Sequence, residues 1–137
     1  MRDDDAPPMS AETSRFLDAA ARVSSERGRQ MSKEGWTAEH DDEHADGSLL
    51  TVAVIYLHAD PDDPSSVPMN GDVPMGWPWH PSWWKPKDRV RNLERSGALA
   101  LAEYDRCSRA NLPTDPARHK YRLAVTKLAE ILPAAGG

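Results

Sequence analysis

The chain has 137 residues, a length that suits one domain around one hydrophobic core and leaves too little for a second. Its net charge of −5, with no long Lys/Arg run, disfavours the counterion release on which binding to duplex nucleic acid depends. No stretch approaches the roughly 18–20 continuous apolar residues of a membrane span, and the start Met1-Arg2-Asp3-Asp4-Asp5 lacks the order of a signal peptide, so a cytoplasmic chain is expected. The single cysteine, Cys107, has no partner for an internal disulfide and reads as a structural thiol.

Residues 1–9 are acidic and proline-containing with little to bury, which predicts a disordered tail ahead of a single helical domain over 10–133. Ser10 suits an N-cap, and Phe16, Ala19, Ala20 and Val23 recur at helical spacing, predicting a first helix over 10–30 that Gly35 ends at the latest. Thr37 is a second N-cap, followed by Glu39, Asp41, Asp42 and Glu43, the charge that a helix N-terminus favours. The apolar run Leu49–Leu57 has the β-branched content of a buried strand, yet the capped acidic start leads into it without a turn, so one helix is predicted over 38–58 despite Gly47.

Between Asp60 and Pro86 the composition changes, with most of the twelve prolines and four of the five tryptophans. Asp60–Asp72 is polar and turn-rich and is expected to be mobile, whereas Trp77, Trp79, Trp83 and Trp84 carry too much aromatic surface to leave in water. A third helix is predicted from Pro86 or Lys87 to Arg109, and a fourth opens at Asp115-Pro116. The fold class is then all-α: a compact bundle of three to four helices with a long Pro/Trp-rich connection, and Leu50, Ala53, Leu93, Leu101 and Leu128 in its core.

Three clusters offer chemistry. In Glu39-His40-Asp41-Asp42-Glu43-His44 the two histidines fall four residues apart on one helix face, where imidazoles converge on a divalent metal or work with a carboxylate as acid and base; a solvated first turn is the plainer alternative. The zinc-protease pattern is not met, because Asp41 stands where its glutamate would follow His40. The second cluster is the tryptophan segment with Lys85, Lys87, Arg89, Arg91 and Arg95, since indole faces beside cations stack a base and hold its phosphates, although such indoles also plug the end of a bundle. Glu103, with Glu94 upstream and Tyr104 and Asp105 beside it, is a third candidate, able to complete a metal set or simply to face solvent.

The strings Gly35-Trp36-Thr37-Ala38-Glu39-His40-Asp41-Asp42-Glu43-His44, Trp77-Pro78-Trp79, Trp83-Trp84-Lys85-Pro86-Lys87-Asp88-Arg89 and Ala98-Leu99-Ala100-Leu101-Ala102-Glu103-Tyr104-Asp105-Arg106 resemble a widespread group of uncharacterised phage and prophage proteins. The resemblance covers about residues 27–109, departs at Tyr104, where a smaller aliphatic residue is usual, and leaves the C-terminal helix as an addition. It implies phage origin and a place in the host cytoplasm but carries no activity with it. A fainter similarity, acidic residues leading into an apolar helix, is to the all-α nucleotide pyrophosphohydrolases, whose two-carboxylate motifs are not cleanly present.

The reading is a protein that binds a nucleotide-like ligand and sequesters a host immune signal, with Trp36, His40, Asp41, Asp42, His44, Trp77, Trp79, Trp84, Lys85, Lys87 and Arg89 lining one cleft and no cofactor required. A metal-dependent nucleotide pyrophosphohydrolase, with a divalent cation, and an inhibitor of a host defence protein are the alternatives. The sequence leaves assembly into a homo-oligomer open.

Overall fold

A computed structural model describes residues 9–133, so the predicted tail lies almost wholly outside the described residues. Helix α1 (Ala11–Lys33) starts where the Ser10 hydroxyl accepts from the Thr13 amide at 3.1 Å. It outruns the predicted end, because Gly28 continues the helix and Gly35 stops it: at φ +74° Gly35 turns the chain back, and the Glu34 and Trp36 amides both reach the Gln30 carbonyl. Trp36 leaves that turn pointing into the protein and is 6% exposed.

The helix predicted over 38–58 is two helices, α2 (Ala38–Asp42) and α3 (Ser48–His58). The break follows from local chemistry that competes with the helix: Gly47 adopts φ +85°, and the Asp46 carboxylate accepts from the Ser48 amide at 3.0 Å, opening a new helix at Ser48. The apolar run is helical, as expected. Asp60 and Asp63 then hold successive turns through their side chains, and an antiparallel pair, β1 (Met69–Asn70) and β2 (Val73–Pro74), closes over Gly71 in register Met69↔Pro74. A single 3₁₀ turn, Pro81–Trp83, lies within the tryptophan segment. Helix α4 (Arg89–Arg109) begins later than predicted because Asp88, not Pro86, is its cap, accepting from the Arg91 amide at 2.8 Å. Helix α5 (Asp115–Ile131) has Pro116 in its first turn.

The protein is thus mainly helical with bundle-like packing. The expected three to four helices become five among the described residues, joined by a short hairpin. Helix α4 is the shared partner: its two sides separate a cluster of Val23, Leu57, Leu93, Val125 and Leu128 from a second cluster of Trp36, Leu49, Val52, Tyr56 and Leu99. Ala53, Leu93 and Leu128 are buried as expected; Leu50 and Leu101 are only half-buried, and Phe16 is exposed on the first turns of α1. Cys107 is buried, and burial pushes its thiol pKa up, in keeping with a structural role. No helix among the described residues is long and apolar enough to cross a membrane.

The approach of α4 to α1 depends on Gly97. A Cβ there would stand 2.8 Å from Val23 Cγ2, and Val23 is fully buried with a stiff χ1 that leaves it no room to turn away. Gly97→Ala would raise helix propensity by about 1 kcal/mol, but overpacking costs about 1–3 kcal/mol. The expected outcome in urea melts is a net loss of stability, whereas a gain would show that α1 and α4 are not held this close.

Candidate functional site

The turn at Gly35 delivers Trp36 and then α2 to one end of the bundle, and what fixes α2 there is a buried ion pair. Arg27, on α1, donates to Asp41 Oδ2 at 2.8 Å and to the Trp36 carbonyl at 3.2 Å. Asp41 is 0% exposed and the Arg27 side chain 10%. Its other carboxylate oxygen lies 3.3 Å from His40 Nδ1. A carboxylate only accepts, so Nδ1 of neutral His40 carries the proton and Nε2 is left as an acceptor.

Across from α2 stands the tryptophan segment. Trp36, His40, His44, Trp79, His80 and Trp83 line an open bowl of about 240 Å³. The Trp36 and His40 rings are stacked, 5.6 Å between centroids and 3° from parallel, and Trp79 meets Trp36 edge-on at 5.6 Å and His44 at 5.2 Å. His44 lies 4.8 Å from His40 and is steadied by the Ser48 hydroxyl at 3.2 Å. Burial first, and the neighbouring His40 second, hold the His44 pKa below the usual imidazole range, so it is uncharged at neutral pH. His80 has the opposite tautomer to His40: the Ser82 amide donates to His80 Nδ1 at 3.1 Å, which leaves Nε2–H as a donor. The bowl is therefore walled by flat rings with both an imidazole acceptor and an imidazole donor among them.

Behind the bowl a second layer of rings supports it. Trp84 and Trp77 pack on Tyr56 of α3 at 5.1 and 6.3 Å, and the Trp77 indole N–H donates to the His80 carbonyl. The Tyr56 hydroxyl binds this layer at both ends, donating to the Trp83 carbonyl and accepting from the Lys85 amide at 3.0 Å. Lys85 Nζ sits 5.2 Å from the Trp83 ring, within cation–π range.

Several of the predicted site residues are elsewhere. Asp41 does not line the bowl, because it is consumed by Arg27, and Asp42 turns outward to Arg109 at 2.8 Å. Trp77 and Trp84 are supports rather than lining. Arg89 is drawn away from the indoles to the end of α3, where its guanidinium donates to the Leu57 and Ala59 carbonyls at 2.7 and 3.1 Å, satisfying groups that a helix C-terminus leaves open. Lys87 is exposed, held through its backbone by Asn92. The expected Lys/Arg wall thus reduces to Lys85. Glu103 is paired with Arg106 and Glu94 with Arg91, so neither completes a set with the α2 histidines. Among the described residues no three His, Cys, Asp or Glu side chains come together as metal donors.

Sequence reasoning missed His80 and Trp83 as lining. The signal for His80 was the His-Pro-Ser order, in which a histidine ring nitrogen caps the following amide, as Asp and Ser do elsewhere. A larger depression of about 510 Å³ lies between the start of α1 and the end of α5, but it is walled by side chains such as Glu12, Phe16 and Glu130 and gathers neither indoles nor imidazoles. No protein-family model matches the chain, and no curated protein or solved structure is significantly similar to it.

The two neighbouring aspartates should behave differently. Asp41→Ala leaves Arg27 buried and unpaired, a loss of about 3–5 kcal/mol, while Asp42→Ala removes an exposed pair and should change stability by less than about 1 kcal/mol. Chemical denaturation of the two variants checks this, and equal effects would contradict the assigned roles.

Proposed function

We propose that the protein binds a nucleotide-like ligand, its base against the indoles and imidazoles of the bowl and its phosphates outside it. The observation that supports this reading is the bowl itself: six flat rings from two separate segments, arranged around one opening. Base stacking on such faces is tolerant of base identity and is worth about 1–3 kcal/mol per base. At about 240 Å³ the bowl is smaller than the pockets of roughly 300–1,000 Å³ that enclose whole drug-sized ligands, which suits one ring system with the rest of the molecule left at the rim. Lys85, beside Trp83, is the cation nearest to hand for a phosphate there.

The resemblance to phage proteins suggests that the ligand is a host signal and that holding it, rather than converting it, is the purpose. Hydrolysis of a nucleotide pyrophosphate would need a metal on several carboxylates and a positioned water, whereas the acids nearest the bowl, Asp41 and Asp42, are committed to arginines. A second reading, contact with a host protein, is favoured by the exposed Trp83, Met69 and Met75 of the same segment, an apolar group of the kind that anchors interfaces.

Titration with mononucleotides should quench tryptophan fluorescence and return the nucleotide intact, and rising salt should weaken binding. Trp83→Ala should cost between about 5-fold and 100-fold in affinity. Arg89→Ala should leave affinity within about twofold while lowering stability, because that guanidinium serves α3. No quench by any nucleotide, with retained binding to a host protein, would transfer the site to the second reading.

A further inference from the structure

Directly behind the bowl lies a small, partly enclosed chamber of about 10 Å³, and Trp36, Trp79 and Trp83 line both spaces. Among the described residues four buried side-chain polar atoms lack a hydrogen-bond partner: Trp36 Nε1, Trp79 Nε1, Arg95 Nε and Gln30 Oε1. All four belong to residues that line this chamber. Gln30 and Trp36 are more than nine-tenths buried. Stranded polar groups are costly, and a native protein that gathers the two indole N–H groups and the Gln30 oxygen around one space has a polar guest for them.

The chemistry of the guest follows from the donor count. Arg95 Nε faces the Glu26 carboxylate at 3.9 Å, which leaves the two indole N–H groups as donors, and Gln30 contributes an acceptor, because its amide nitrogen is directed to Glu26 Oε2. Two donors and one acceptor match an oxygen with two lone pairs adjacent to an N–H. That is the lactam edge, –CO–NH–, of an oxo base. The volume agrees, since about 10 Å³ is room for a single water-sized atom such as a carbonyl oxygen and not for a phosphate. An amino-substituted edge would instead set an N–H₂ donor against the two indole donors.

We propose that the chamber is the selectivity end of the site: it receives the carbonyl oxygen of an oxo-purine or oxo-pyrimidine whose ring lies in the bowl, and it rejects bases with an amino group at that position. Trp83, 38% exposed on its 3₁₀ turn, is one of the three rings shared by the two spaces. In a ligand without the lactam edge the two indole N–H groups and the Gln30 oxygen remain stranded, which is how a hydrogen-bonding site discriminates more strongly than an apolar one. This inference rests on the reading that a base occupies the bowl.

Inosine monophosphate and adenosine monophosphate differ at this edge alone and separate the two ideas. Calorimetric titration of the whole chain should favour inosine monophosphate by at least about tenfold. Trp79→Phe, which keeps an aromatic ring and deletes one donor, should reduce that preference, read as the ratio of the two affinities, to within about threefold. Equal affinities in the unmodified protein, an adenosine preference, or a preference that survives Trp79→Phe would each overturn the chamber's role and leave stacking in the bowl intact. Failure of both nucleotides to bind would overturn the chamber and the bowl reading together.

Discussion

The buried pair of Arg27 and Asp41 is the contact on which the site is built. Helix α2 has only five residues, far below the length at which a helix holds itself in water, and its own contribution to the core is small. One guanidinium nonetheless fixes three things at once: Asp41, the Trp36 carbonyl and, through Asp41, the His40 ring. An ion pair of this kind rarely adds much net stability over an apolar pair of the same shape, because both charges must first leave water. What it supplies here is position. With Asp41 tied, the stacked Trp36 and His40 rings are held as one wall, and the tryptophan segment has a surface to close against.

That segment solves a different problem. Four prolines between Val67 and Trp83 interrupt any regular ladder, so its rings are kept in place by packing and by side-chain bonds to α3 and α4. Tyr56 does most of this, as a ring under Trp77 and Trp84 and as a hydroxyl between Trp83 and Lys85. Arg95 reinforces it, donating to the Lys85 carbonyl at 2.8 Å while its Nε faces the Glu26 carboxylate at 3.9 Å. The same residues that hold the rings thus supply part of the chamber behind them, which couples the support of the bowl to its proposed selectivity.

Much of the helical layout was legible because its signals are local. Ser10, Thr37, Asp115 and Gly35 announce helix ends through bonds that span three or four residues, and the apolar period places Val23, Leu93 and Leu128 inside. The break at Gly47 was misread because the run that follows is so apolar that it outweighed one glycine; the deciding contact, Asp46 to the Ser48 amide, is a competition visible only in three dimensions. The meeting of Trp36, His40 and His44 with the tryptophans was foreseen from the need to bury indoles. The roles of the charged residues were not, since Arg89 and Asp41 were read as ligand contacts from their neighbours in sequence, while their partners lie 32 and 14 residues away.

If the Arg27–Asp41 pair sets the site, its mark should be readable on the imidazoles without any ligand. Long-range ¹H–¹⁵N correlation of the histidine rings at neutral pH should find His40 protonated at Nδ1 and His80 at Nε2, with His40 losing its fixed tautomer in Arg27→Met, a substitution that spares the His80 ring. A His40 ring that is protonated at Nε2, or that is unchanged by Arg27→Met, would contradict the account.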